Sequence, residues 1–217
     1  MSVTAPTTPD GRSARWDEHR LARRRELVEA TVQAIRTHGA GVGMDEVAAA
    51  ARTSKTVVYR HFADRAGLYA AVADRVDGTI IRGITRAAAT SDDAPLPARD
   101  VIRAVIAAYL HLVEDDPEVY RFIVNAPLVP PGERPDGDVT AGMTGRIADH
   151  VATLVRDRLA ATVDDATAHL WGVALVGMVR AAADAWLADG GAASGRTADE
   201  LADALTGLAW DGLRPAH

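Results

Sequence analysis

Ser54, Lys55, Thr56 and Val57 open the stretch SKTVVYRHF. An ammonium can donate to a guanine edge or a phosphate, and a threonine or valine methyl can meet a thymine methyl. That chemistry requires the four residues to sit on the exposed first turn of a helix, behind a second short helix and a tight turn. Such a helix-turn-helix lays one N-terminal turn in a major groove. In MDEVAAAAR, Met44, Val47, Ala48 and Ala51 share one helical face, and Asp45 and Glu46 fall in the first turn, where the helix dipole favours negative charge. The spacing predicts a helix over 44–51, a turn at Arg52 and Thr53, and Ser54 as N-cap of a further helix ending at Ala63 and Asp64.

The elements around this unit read as helices too. Leu21, Leu27, Val28, Thr31 and Ile35 recur at helical spacing and stop at Gly39, predicting a first helix over 19–38. Residues 1–18 read as a flexible arm, basic through Arg12 and Arg15, with Arg20, Arg23, Arg24 and Arg25 continuing the basic run as a solvated face. A long helix over 65–88 closes a unit at 19–88, and TSDDAPLPARD (90–100) reads as a linker. A second domain is expected over 96–214. It holds a helix from 101, a DDP turn into another helix that stops near Asn125, and helices near 143–161, 164–188 and 196–211. Between these lies a segment rich in helix breakers, 126–142, with four Pro and three Gly. Abundant Ala and few runs of Val, Ile, Tyr or Phe make the chain all-α.

Composition excludes several classes. No Cys is present, so a disulfide framework, a thiolate metal centre and a cysteine nucleophile are ruled out. No export signal is evident and the apolar runs read as too short to cross a bilayer, so a cytoplasmic protein with no membrane partner is expected. A zinc HExxH helix, a phosphate loop, a dinucleotide loop and a serine elbow are all missing, and His111 with Glu114 lacks a third partner, so neither enzyme activity nor a cofactor or metal is expected. The net charge of −6 is divided: residues 12–65 carry eleven basic and seven acidic side chains, a net of +4, while 66–217 carry a net of −9. Anions are drawn to one end and repelled by the other.

GVGMDEVAAAARTSKTVVYRHFADRAGLYAAV closely resembles the DNA-binding domain of the TetR family of bacterial regulators, above all through SKTVVYRHF followed by Arg65 and Leu68. The resemblance covers about residues 20–75. It implies an all-helical homodimer whose C-terminal domain binds an effector and dimerises through its last two long helices. It places the recognition helix at 54–61, with Ser54, Lys55, Thr56, Val57 and Arg60 in or beside its groove-facing part and Phe62 in the core. Tyr59 and His61 match positions that meet backbone phosphates, and Arg65 one where a basic side chain and a helix N-terminus hold phosphate. Two departures stand out: Arg52 occupies a turn position that is usually Gly, and Gly43 one that is usually Thr or Ser. A left-handed Arg52 costs roughly 1 kcal/mol, which a phosphate contact can offset.

An effector site must come from the second domain. Against its small side chains, Tyr109, Tyr120, Phe122, Trp171 and Met178 offer apolar surface, and Arg121, Asn125, His150, His169 and Arg180 offer polar contacts, with Asp184 a natural partner for Arg180. Gly172, Gly177 and Ala181 in one helix and Leu201, Ala204, Leu205, Leu208 and Trp210 in the last suit a four-helix dimer interface. The expected function is a sequence-specific, ligand-responsive repressor on a palindromic double-stranded DNA operator. The alternative is an architectural protein that binds DNA without sequence preference.

Overall fold

The computed structural model describes residues 11–89, 97–125, 139–159 and 163–212, and their regular structure is entirely helical. α1 (Gly11–His38), α2 (Met44–Ala50) and α3 (Lys55–Phe62) form a head. α4 (Arg65–Ala88) runs from it into a body completed by α5 (Ala98–Asp115), α6 (Pro117–Asn125), α7 (Val139–Leu159), α8 (Asp165–Ala188) and α9 (Ala198–Asp211). A 3-10 turn at Gly191–Ser194 separates α8 from α9.

Polar caps explain several of these starts. Asp64 accepts from the Gly67 amide at 2.7 Å and Asp164 from the Thr167 amide at 2.7 Å. Thr197 and Glu200 form a reciprocal box, with the Thr197 amide 2.9 Å from Glu200 Oε2 and the Glu200 amide 3.2 Å from Thr197 Oγ1. Each such cap contributes about 1 kcal/mol. Gly43 has no side chain to cap α2, yet its amide donates to Glu46 Oε2 at 3.1 Å.

Most borders fall within four residues of expectation, but α1 starts at Gly11 rather than near 19. Residues 11–18 are therefore helix where an arm was expected, because nothing in RSARWDEH breaks a helix and Ala, Arg and Glu favour one. Residues 1–10 of that arm, the linker over 90–96 and the breaker segment over 126–138 lie outside the described residues. Leu21, expected on the inner face of α1, is 54% exposed, since α2 and α3 are too short to cover that turn.

The head closes on Leu27, Ile35, Met44, Val47, Val58, Phe62 and Leu68. In the body α7 packs along α8, α9 against α5, and α4 against α5 and α7. α7 and α8 approach closely at Gly172, where a Cβ would stand 2.4 Å from the Ala148 carbonyl oxygen. α6 ties head to body. The Tyr69 hydroxyl donates to the Ile123 carbonyl at 2.5 Å, and the Tyr69 and Phe122 rings lie 5.7 Å apart. Arg36 grips Asp116 through two hydrogen bonds of 2.8 and 2.5 Å, and the Ala40 amide donates to Glu118 Oε2 at 2.8 Å.

One expectation about apolar runs is corrected. Asp165–Ala188 is long and apolar enough to cross a membrane, with a mean hydropathy of 1.4, although only 22% of that window is buried. Its polar residues are nonetheless engaged within the fold: Arg180 donates to Thr144 Oγ1 at 3.3 Å, and Asp184 accepts from the Tyr120 hydroxyl at 2.6 Å. The expected Arg180–Asp184 pairing gives way to these two contacts, because α6 and α7 offer each side chain a partner across a helix interface.

Gly172→Ala is expected to destabilise the protein by about 1–3 kcal/mol, since the clash is with backbone. Gly78→Ala meets only the flexible end of Arg82 at 3.2 Å. It should be neutral or stabilising by up to about 1 kcal/mol. Urea unfolding midpoints of the two variants check the contrast.

Candidate nucleic-acid interface and effector cavity

α3 begins where its cap dictates. The Ser54 hydroxyl accepts from the Val57 amide at 3.4 Å. Ser54, Lys55, Thr56 and Arg60 are exposed, Val57, Tyr59 and His61 are half-buried, and Val58 and Phe62 are in the core. The first turn of α3 thus presents its polar groups outward while its other face holds the head together. Lys55 is not idle: its ammonium lies 2.9 Å from Asp45 Oδ1 on α2. Any other acceptor has to compete with that carboxylate for the ammonium. Sequence reasoning placed Asp45 only as a dipole partner for α2, since its meeting with Lys55 depends on how the turn folds.

Two non-glycine residues in this unit have positive φ, Arg52 at +50° and Ala63 at +64°. Arg52 takes the left-handed conformation anticipated for it and remains exposed, while the Thr53 amide closes the turn on the Ala48 carbonyl at 3.0 Å. Ala63 centres a tight γ-turn in which the Asp64 amide donates to the Phe62 carbonyl at 2.8 Å. Sequence gave no sign of it, because alanine is an unusual residue for that conformation. Gly67 is required beside it: a Cβ would stand 2.1 Å from the Phe62 oxygen.

Arg24 leaves the solvated face assigned to it. It donates to the His61 carbonyl at 2.5 Å and its guanidinium sits 4.3 Å above the Phe62 ring, clamping α1 onto the end of α3. Desolvation, followed by the cations of Arg60, Arg23, Arg24 and Arg20, holds the His61 imidazole below its ordinary pKa. The recognition end of α3 and the N-terminal half of α1 therefore share one positive surface. Arg65 joins it at the start of α4, donating to the Tyr59 hydroxyl at 3.4 Å.

In the body, α4, α5, α7 and α8 line a cavity with about 710 Å³ of empty space, the open solvent at its mouth included. Of the ten expected ligand-contacting residues only Tyr109 lines it. Tyr109 and Tyr120 line a second hollow, between the body and the head, with Arg36, Arg75 and Asp116. Phe122 is wholly buried in the core beside Tyr69, and Met178 packs against that core. The others lie elsewhere. Arg121 is exposed and pairs with Glu118 at 2.5 Å, Asn125 is exposed at the end of α6, and His150 meets Thr85 Oγ1 at 2.9 Å. His169 is exposed opposite Asp149 at 3.2 Å, Trp171 is 43% exposed on the outer face of α8, and Arg180 bonds Thr144. The cavity wall that sequence reasoning missed is aliphatic, including Val101, Ile102, Val105 and Ile106 of α5 and Ile147 and Val151 of α7. A search for rare polar and aromatic groups passes over such residues, and their helical periodicity marks an inner face without separating core from cavity.

Tyr109 and Tyr120 join cavity and core. Their rings meet edge to face at 6.4 Å, and the Tyr120 hydroxyl donates to Asp184 at 2.6 Å. Burial pushes both phenols above their ordinary pKa, so they stay protonated.

Known proteins share both halves of the chain. The family model described as bacterial regulatory proteins, tetR family, matches residues 27–72, and that of the tetracyclin repressor-like C-terminal domain matches residues 85–214. An uncharacterized HTH-type transcriptional regulator of Mycobacterium tuberculosis is 36% identical over 213 residues, covering 98% of this chain and 85% of that protein. The HTH-type transcriptional activator FasR of Mycolicibacterium smegmatis is 37% identical over 81 residues, 37% of this chain and 35% of that protein. Among solved structures, FadR of Bacillus subtilis in complex with stearoyl-CoA shares the fold at a TM-score of 0.63 and 12% identity, covering 87% of this chain and 98% of that one.

Arg52→Gly is expected to raise stability by about 1 kcal/mol, because glycine adopts φ of +50° without strain. The same change should weaken DNA binding and make it less steeply dependent on salt, by about one unit in the log–log slope if Arg52 meets a phosphate. Urea unfolding and a salt titration of DNA affinity read the two effects separately.

Proposed function

Because the chain belongs to the TetR family of bacterial regulatory proteins, we propose that it acts as a homodimeric, effector-responsive repressor, with the cavity of the body as its effector site. That it is a sequence-specific DNA-binding transcriptional regulator follows from the family. The observation that carries the reading is the first turn of α3, which is capped by Ser54 and backed by buried Val58 and Phe62. It carries Lys55 and Thr56 outward from the basic end of an acidic chain.

The roles divide by chemistry. Lys55, Thr56 and Val57 read base edges and methyl groups, with Ser54 and Arg60 beside them. Tyr59, His61, Arg65 and Arg52 set the register through phosphates, Arg65 with the N-terminus of α4 behind it. The protein binds and releases; it does no chemistry on DNA or on its effector, and it works in the cytoplasm, where the operator is.

The dimer forms on α8 and α9. Leu170, Ala174, Gly177, Ala181 and Ala185 make one exposed stripe along α8, flanked by Trp171 and Val173, and Leu208 and Trp210 of α9 are exposed as well. Small residues along that stripe let a partner helix approach closely. Two-fold symmetry then presents two recognition helices to a palindrome whose half-sites are about 34–36 Å apart. An effector releases DNA by binding more tightly to the arrangement in which the heads no longer match that spacing.

Lys55→Ala and Tyr59→Ala should each weaken binding to an operator selected from random DNA by about tenfold or more, with the dimer intact by light scattering. Unchanged affinity in both would remove α3 from the groove, and uniform coating of DNA without a selected sequence would favour the architectural alternative.

Leu170→Glu combined with Val173→Glu is expected to yield a folded monomer by light scattering, with operator affinity lost because a single head remains. A dimer that survives the pair places the interface elsewhere.

A further inference from the structure

Resting on the effector-responsive reading above, we infer that the cavity takes a ligand with a linear aliphatic chain, laid along α5 with its charged or strongly polar end outside. Thirteen of the fourteen lining side chains are aliphatic, and none is charged. A carboxylate, phosphate or ammonium drawn inside would lose its water and gain no counter-ion, a penalty no ordinary ligand overcomes. The exception, Tyr109, sets its ring edge to face against that of Tyr120, whose hydroxyl donates to Asp184. The wall therefore offers a single hydroxyl and no charge.

Shape and stiffness narrow the class further. Ala98, Val101, Ile102, Val105, Ile106 and Tyr109 line the cavity from one helix. At 1.5 Å per residue that wall is about 16 Å long, the span of an extended chain rather than of a compact ring system. A flat aromatic ligand would find a single ring to stack on, and a quaternary ammonium would find no cage. Branched Val and Ile side chains, stiff at χ1, hold most of the wall in shape without a ligand present.

The probes are saturated straight-chain acids from hexanoic to octadecanoic and the matching primary alcohols, titrated into the full-length protein by calorimetry. Affinity should tighten about fourfold per added methylene until the cavity is filled and then level off. Acid and alcohol of equal length should bind within a few-fold of each other, because their end groups remain in water. Val176→Phe, on the α8 wall, should lower the chain length at which affinity stops rising, and Ala98→Leu, at the end of the cavity, provides a second test should the first variant fold poorly. Affinity that ignores chain length, or a naphthalene alcohol that binds better than the straight-chain alcohol of equal carbon number, overturns the inference. Operator binding measured on the same preparations separates the two levels. Chains that bind with the methylene increment yet never alter operator affinity leave the ligand class standing and remove effector control. Specific operator binding with no chain binding does the reverse to the ligand class and leaves the DNA-binding head untouched.

Discussion

The junction between α3 and α4 constrains everything that the head can do. At Phe62 one carbonyl receives the Asp64 amide at 2.8 Å and faces Gly67 so closely that no Cβ fits. That turn leaves no room for α3 to rotate independently of α4. Arg24 completes the restraint from the other side, holding the His61 carbonyl and covering the Phe62 ring. Whatever orientation α4 adopts, α3 adopts with it.

α4 is 24 residues long, about 36 Å, and it belongs to two cores at once. Leu68 and Val72 are buried at its head end, while Ile84 is buried at the other end and lines the cavity. Between them, Asp77 is buried and ion-paired with Arg146 of α7, and its Oδ1 is a buried side-chain atom without a hydrogen-bond partner among the described residues. Removing Arg146 would leave that buried carboxylate without its counter-ion, so the pair ties α4 to α7. α6 supplies the second path. Asp116 just before it and Glu118 within it hold the head, whereas Tyr120, two residues on, meets Tyr109 in the cavity wall. On the effector-responsive reading proposed above, a ligand that displaced α5 or α7 would reach the head through both α4 and α6.

The head was more legible in the sequence than the cavity, for physical reasons. Caps, turn residues and short-range periodicity act within a few residues, so Ser54, the turn at Arg52 and the inward set Met44, Val47 and Phe62 announce themselves locally. What joins distant elements does not. Arg24 reads as one more surface arginine until α1 is laid across α3, and the pairing of Lys55 with Asp45 exists only once the turn has closed. Rarity of a side chain is a poor guide to a cavity. Phe122 and Trp171 stood out against small side chains, yet the first fills the core and the second faces outward. An apolar cavity is lined by the same Val and Ile that fill a core, and only the packing of four helices decides which of them face empty space.

α8 shows how the surface completes the logic of the interior. By length and hydropathy it passes for a membrane span, yet its mid-helix polar groups are bound to α6 and α7, an expensive arrangement to place in lipid and a natural one in a folded body. Its larger apolar side chains, such as Val179 and Trp186, face inward, yet its exposed stripe through Leu170, Ala174, Gly177 and Ala181 is uncharged as well. A helix that is apolar on both faces is covered on both faces. The inner face has α7, held close by Gly172, and in the proposed dimer a second copy of the chain would cover the outer face, its own stripe complementary by symmetry. The charge division then acquires a geometric meaning. In the proposed dimer, acidic bodies would meet through uncharged stripes with basic heads at the free ends of α4, and the long-range field would then favour the orientation in which both copies of α3 face the duplex.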